Sequence, residues 1–270
     1  MYFARETKDY KMKNYLTLLL IAALVSCGGA KTENKVVEVK ADPPKTGHHS
    51  ESMTKVFDAH GGFSQWSEMR QLSYDMSNGQ HHLIELQNRY ARIESENDTT
   101  GYDGDEVWVM PASANSSRAR MTYNLYFYFY AFPFVVGDEG VIYEDVASKD
   151  ILGKNYNGVK ISYENGVGES SKDNYIIYSD PETNQMAWLM YTATFGGEET
   201  SDRWSLIKYD QWQIVEGITI PKMLQWYQYS DGKVGDKRNK VVFENVKLSR
   251  EVPSMDNFTM PEGAQIAPRG

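Results

Sequence analysis

Residues 123–136 read Tyr-Asn-Leu-Tyr-Phe-Tyr-Phe-Tyr-Ala-Phe-Pro-Phe-Val-Val. After Asn124 no charged or amide side chain appears before Asp138. Leaving each large apolar side chain in water would forgo about 1.5–3 kcal/mol of burial. The run therefore belongs in a core, along an apolar cavity or against lipid. Its local propensity is divided. As a strand it would present aromatic rings on both faces. As a helix, Leu125, Tyr128, Phe129 and Phe132 share one side, and Tyr126, Tyr130 and Pro133 another. Pro133 disfavours helical geometry at the residue before it, so the reading is a helix from about Thr122 to Ala131.

The chain on either side reads as strands. Gln71 to Met76 alternates Leu72, Tyr74 and Met76, and Asn78-Gly79 is a hairpin turn. His81 to Leu86, Arg89 to Ser95 and Val107 to Met110 follow, with a turn at Gly101 to Asp105. After Gly140 come Val141 to Ala147, Gly158 to Glu164, Asn174 to Ser179, Gln185 to Thr194, Arg203 to Asp210, Trp212 to Ile220, Lys222 to Tyr229 and Lys240 to Leu248. Separators such as Asn155 to Gly158, Asp180-Pro181, Glu216-Gly217 and Asp231-Gly232 stand between or within them. Short strands at even spacing predict an antiparallel meander of eleven or twelve strands. An aromatic share of 13% fits this β bias. Ahead of the strands, Met53, Val56, Phe57 and His60 lie on one face of a short helix. Ser52 is its candidate N-cap and Gly61-Gly62 its stop.

The N-terminus reads as an address. Lys13 precedes the apolar run Tyr15 to Val25, and small residues follow, the pattern of a secretory signal. Eleven residues are too few for a spanning helix, which needs ~20. Met12 opens a compact signal and is the expected translation start. Leu24-Val25-Ser26-Cys27 resembles the bacterial lipobox, which implies acylation of Cys27, the single cysteine. The expected organisation is a signal peptide over 1–26, a tether over 27–50 and one domain over 51–270. The tether carries Asp42-Pro43-Pro44 and little apolar content. The net charge of −9 becomes two units more negative when residues 1–26 leave. That surface repels nucleic acid and anionic headgroups, so attachment to a membrane is expected through acyl chains.

Chemistry-bearing patterns are sparse. His81 and His82 are adjacent in a strand and face opposite sides, and no histidine spacing fits a metal site. Asp103, Asp105 and Glu106 lack the calcium-loop pattern. No Gly-x-Ser-x-Gly, nucleotide loop or free thiol is present. The expectation is a protein that is not an enzyme and carries no metal or cofactor. What remains is apolar surface. The candidate cavity residues are Trp108, Leu125, Tyr126, Phe127, Phe129, Tyr130, Phe132, Phe134, Trp188, Trp204 and Trp226. They form either the wall of a ligand cavity or a large aromatic core.

Three segments together resemble the LolA/LolB-like lipoprotein-localisation superfamily. They are Asp58-Ala-His-Gly-Gly62 with Trp66, Tyr209-Asp-Gln-Trp-Gln-Ile-Val-Glu-Gly217-Ile-Thr-Ile-Pro221, and Phe258-Thr-Met-Pro261-Glu-Gly263. The resemblance implies a curved antiparallel half-barrel of about eleven strands. Helices would close it over an apolar cavity on the concave face. It also implies a lipid or acyl ligand; with the lipobox this makes a lipid-anchored envelope protein, and Gly28 after Cys27, in place of an acidic residue, favours the outer membrane. The alternative is a structural or partner-binding lipoprotein whose core is filled by its own side chains. In the first case residues 123–136 are a lid, in the second a plug.

Overall fold

The computed structural model describes residues 48–164, 173–192 and 203–268. These fall in a compact unit spanning Ala41–Gly270. The signal, the lipobox with Cys27 and most of the tether lie outside the described residues.

Helix α1 (Glu51–Ala59) is capped by Ser50, whose hydroxyl accepts from the Met53 amide at 3.2 Å. The cap therefore stands two residues ahead of the expected Ser52. Gly61 and Gly62 follow at positive φ, 103° and 92°. A side chain on Gly61 would meet the Gly217 carbonyl oxygen at 2.3 Å. The short helix α2 (Phe63–Ser67) then places Trp66 in the core.

Thirteen strands form one antiparallel sheet, against the eleven or twelve expected. The first five are β1 (Gln71–Met76), β2 (His81–Glu85), β3 (Ala91–Glu94), β4 (Thr99–Tyr102) and β5 (Val107–Met110). After helices α3 (Ser116–Thr122) and α4 (Leu125–Ala131) come β6 (Val141–Ile151), β7 (Lys154–Tyr163), β8 (Tyr175–Ser179) and β9 (Met186–Thr192). The last are β10 (Trp204–Val215), β11 (Ile218–Ser230), β12 (Lys233–Ser249) and the two-residue β13 (Gln265–Ile266). Their order across the sheet is β13-β5-β4-β3-β2-β1-β12-β11-β10-β9-β8-β7-β6.

Several boundaries differ from expectation for identifiable reasons. Gly101 sits inside β4 rather than in a turn, because the Trp108 ring covers it and would lie 2.1 Å from an added Cβ. Asn155 to Gly158 lies within β7. The turn is instead Leu152-Gly153, at φ 55° and 84°. Glu216-Gly217 and Asp231-Gly232 make the same kind of two-residue turn with both φ positive, the geometry that matches strand twist. Trp212 to Ile220 is therefore two strands meeting at a turn. β11 carries Pro221 inside it, paired with Trp212 next to Gln211, which adopts φ 56° without a shift of register.

The order explains the aromatic run. The first meander spreads outward from β1 to β5, and the second starts at the far edge with β6 and returns to pair β12 with β1. The segment between β5 and β6 must cross a face of the sheet, and what lies on that face must be apolar.

The sheet is open and bends toward that face. At ~4.8 Å per strand, a flat sheet would part β2 from β6 by about 38 Å. Yet Arg89, in the turn after β2, donates to Asp138 at 2.8 Å. Asp138 precedes β6 by three residues, a reach of at most ~10 Å. The Arg89 guanidinium also lies over the Phe127 ring of α4, 5.2 Å from its centroid. The helices thus occupy the concave side, as the resemblance implies.

Candidate functional site

Asn115 caps α3, accepting from the Arg118 amide at 3.0 Å. The expected single helix over Thr122 to Ala131 is two helices, broken at Tyr123 and Asn124. α4 ends where predicted: Phe132 is extended, with ψ 140°, directly before Pro133. A 3₁₀ turn over Phe134–Val136 follows.

Phe127, Phe129, Tyr130, Phe132 and Phe134 are all buried. Tyr130 stacks on Phe243 with centroids 4.0 Å apart and meets Tyr74 at 4.7 Å. Phe129 packs on Tyr191 at 4.9 Å and on Trp226 at 5.9 Å. Phe132 reaches Tyr175 at 5.7 Å. Phe134 stacks on Trp66 at 4.8 Å and lies 6.0 Å from Phe57. The last carbonyls of a helix have no partner inside it. Here Tyr209 donates its hydroxyl to the Phe129 carbonyl at 2.6 Å, and Tyr143 donates to that of Val136. Burial raises the pKa of both phenols.

Eight of the eleven candidate residues meet around this segment: Leu125, Tyr126, Phe127, Phe129, Tyr130, Phe132, Phe134 and Trp226. Leu125, Tyr126 and Trp226 are partly buried at its margin. The other three stand on the convex face. Trp188 pairs across the sheet with Tyr178 and Lys208, whereas its neighbour Leu189 pairs with Ile177 and Ile207 on the helix side. Trp188 and Trp204 belong to a second cluster with Tyr178, Leu206 and Tyr227. Trp108 alternates with Val107 and Val109, which face α3, and donates its indole N–H to the Phe258 carbonyl at 2.9 Å. These three tryptophans cannot share a cavity with α4. Cys27 lies outside the described residues.

Among the described residues, space remains beside α4. A pocket of about 250 Å³ is lined by Ile84, Asn88, Arg89, Ala91, Tyr102, Tyr123, Asn124, Phe127 and Tyr128. Of the eleven candidates only Phe127 lines it. Its walls are apolar and aromatic, and its one charged lining group is Arg89. Arg89 adopts φ 64° and gives one terminal nitrogen to Asp138; its other terminal nitrogen, Nη1, has no hydrogen-bond partner. Asn88 donates to the buried Glu85 carboxylate at 3.2 Å. Nothing in the turn Gln87-Asn88-Arg89 marks it in sequence, because only the crossover brings it to Phe127.

Two buried histidines lie near this core. His60 holds the Thr219 carbonyl through Nδ1 at 2.9 Å and accepts the Met186 amide through Nε2 at 3.0 Å. Burial depresses its pKa to about 4. His82 lies 3.2 Å from the Tyr74 hydroxyl through Nδ1, its Nε2 has no partner, and burial depresses it to about 3. Among the described residues no group of three or more His, Cys, Asp or Glu side chains is placed to hold a metal, and no helix is long and apolar enough to cross a membrane.

A model for a family of unknown function, DUF6503, matches residues 107–240, just under half of the chain. No curated protein matches the sequence. Among solved structures the chain is similar to a LolA superfamily protein from Nitrosomonas europaea, at 10% identity and TM-score 0.36, covering 71% of this chain and 89% of that one. It is also similar to a DUF1329 family protein from Desulfovibrio piger, at 12% identity and TM-score 0.42, covering 73% and 93%. A third similarity is to a domain described as an outer membrane lipoprotein-sorting protein from Vibrio parahaemolyticus, at 8% identity and TM-score 0.40, covering 72% and 93%.

Proposed function

We propose that this is a lipid-anchored cell-envelope protein, held at the outer membrane by acyl chains on Cys27, that binds a hydrophobic ligand without chemical conversion. The ligand site is the pocket beside α4, between Phe127 and the strands carrying Ile84 and Ala91. The observation that carries the reading is that this pocket stays open while Phe129, Tyr130, Phe132 and Phe134 of the adjoining aromatic segment are buried. At about 250 Å³ it falls just short of the ~300–1,000 Å³ of pockets that enclose drug-sized ligands. It therefore suits one end of a lipid or a short chain rather than whole acyl chains.

One observation favours a second reading, a structural or partner-binding lipoprotein with no ligand. Phe132 and Phe134 are 2% and 0% exposed and fill the concave side themselves. Native mass spectrometry of the protein purified from a bacterial envelope separates the two. Co-purified lipid, lost in a variant with Ala91→Phe, supports binding. A clean apo mass with no uptake of a hydrophobic fluorescent probe supports the self-filled core.

A further inference from the structure

The pocket beside α4 is not uniformly apolar, and its chemistry narrows the ligand. Ile84, Ala91 and the Phe127 ring make one wall, and three tyrosines continue it. The end formed by the turn between β2 and β3 is different, because Arg89 stands there with its guanidinium over the Phe127 ring. No carboxylate lines the pocket. Two carboxylates bonded to its lining residues are already committed. Asp138, half exposed, accepts from Nη2 of Arg89 at 2.8 Å. Glu85, buried, accepts from the Gln87 and Asn88 amides and from Arg70. Asp138 occupies one nitrogen and leaves Nη1, buried and without a partner. A guanidinium has five N–H donors set as a fork that matches carboxylate and phosphate oxygens. A buried donor left unmatched is costly, and the residue that carries it lines the pocket.

We propose that the pocket takes an amphiphile with one oxyanion head, a carboxylate or a phosphate monoester. The head pairs with Arg89, which turns toward the pocket while it keeps or exchanges its bond to Asp138. The short apolar body lies against Ile84, Ala91 and Phe127. This rests on the pocket being the ligand site, as proposed above, and adds the charge of what enters it. The strained backbone at Arg89, φ 64°, sits in the turn that carries this group.

Calorimetric titration of the full chain carrying Cys27→Ser, which removes the acylation point, tests it. The probes are octanoate, octyl phosphate, octan-1-ol and inorganic phosphate. Octanoate and octyl phosphate should each bind at least tenfold more tightly than octanol, and inorganic phosphate should not bind. Arg89→Gln should lose that tenfold preference and keep octanol binding, while Arg89→Lys should retain part of it. Ala91→Phe should abolish all binding with an unchanged circular dichroism spectrum. Equal binding of octanol and octanoate, blocked by Ala91→Phe, overturns the oxyanion head and leaves the hydrophobic site standing. Binding of inorganic phosphate alone overturns the amphiphile. Binding of none of the four overturns both readings. If Arg89→Gln fails to fold, the ratio of octanoate to octanol affinity in the parent chain and in Arg89→Lys decides.

Discussion

His60 shows how one side chain can tie three elements together. It ends α1, and its ring bridges β11 at Thr219 and the start of β9 at Met186. The two bonds need opposite roles: Nδ1 donates to a carbonyl while Nε2 accepts from an amide. Only the neutral ring does both, so protonation would set an N–H against an N–H. The sign of the pH effect follows. The unfolded chain takes up a proton below the ordinary histidine value near 6.5, and the folded chain does not until about 4. Stability therefore falls as pH drops through that window and levels off below it. A tenfold change in proton affinity is worth ~1.4 kcal/mol, so the loss across the window is about 3 kcal/mol. His82, depressed to about 3, acts in the same direction over a slightly wider window. Urea midpoints should fall markedly between about pH 7.5 and about pH 4.5. His82→Phe should make that fall shallower, and an unchanged pH dependence in the variant would refute the assignment.

At the scale of elements, α4 and the 3₁₀ turn after it behave as packed core. Phe134 lies between Trp66 and Phe57, so three elements lose contacts when it is removed. Phe134→Ala should cost roughly 3–5 kcal/mol, as truncation of a buried Phe does. A much smaller loss by chemical denaturation would show a loosely held lid instead. The composition of residues 123–136 announced burial and Pro133 announced where the helix stops. The break at Tyr123 and Asn124 was invisible, because the seven residues of α3 follow β5 while α4 follows the core. Alternation located most strands but not the face each residue would take. β9 is buried on both sides at Trp188, Leu189 and Met190, and period two carries no information where both faces are apolar. That is why period two does not tell which face Trp188 takes. β4 has no clear signature in sequence because Gly101 resembles a turn residue, whereas its missing side chain makes room for Trp108. The pocket had no signature at all, since Arg89 and Phe127 meet only through the crossover.

For the whole molecule the crossover decides cooperativity. The family model matches the stretch from 107 to 240, but the sheet does not divide there. β5 pairs only with β4 and β13, and both lie outside that stretch. β12 is cut short of Val241, Phe243 and Leu248, all buried, and loses its pairing with β1. Phe134 would be stripped of Phe57 and Trp66, and Tyr130 of Tyr74 and Phe243. Strand edges and aromatic faces of that extent drive association instead of folding. A fragment of residues 107–240 should bind a hydrophobic dye and show no cooperative thermal transition. The chain from residue 48 to 268 should unfold in one step, with tryptophan fluorescence and far-ultraviolet circular dichroism changing together. A sharp transition in the short fragment would mean that the second meander stands alone. The β1–β12 seam would then be a junction between two domains rather than the middle of one sheet.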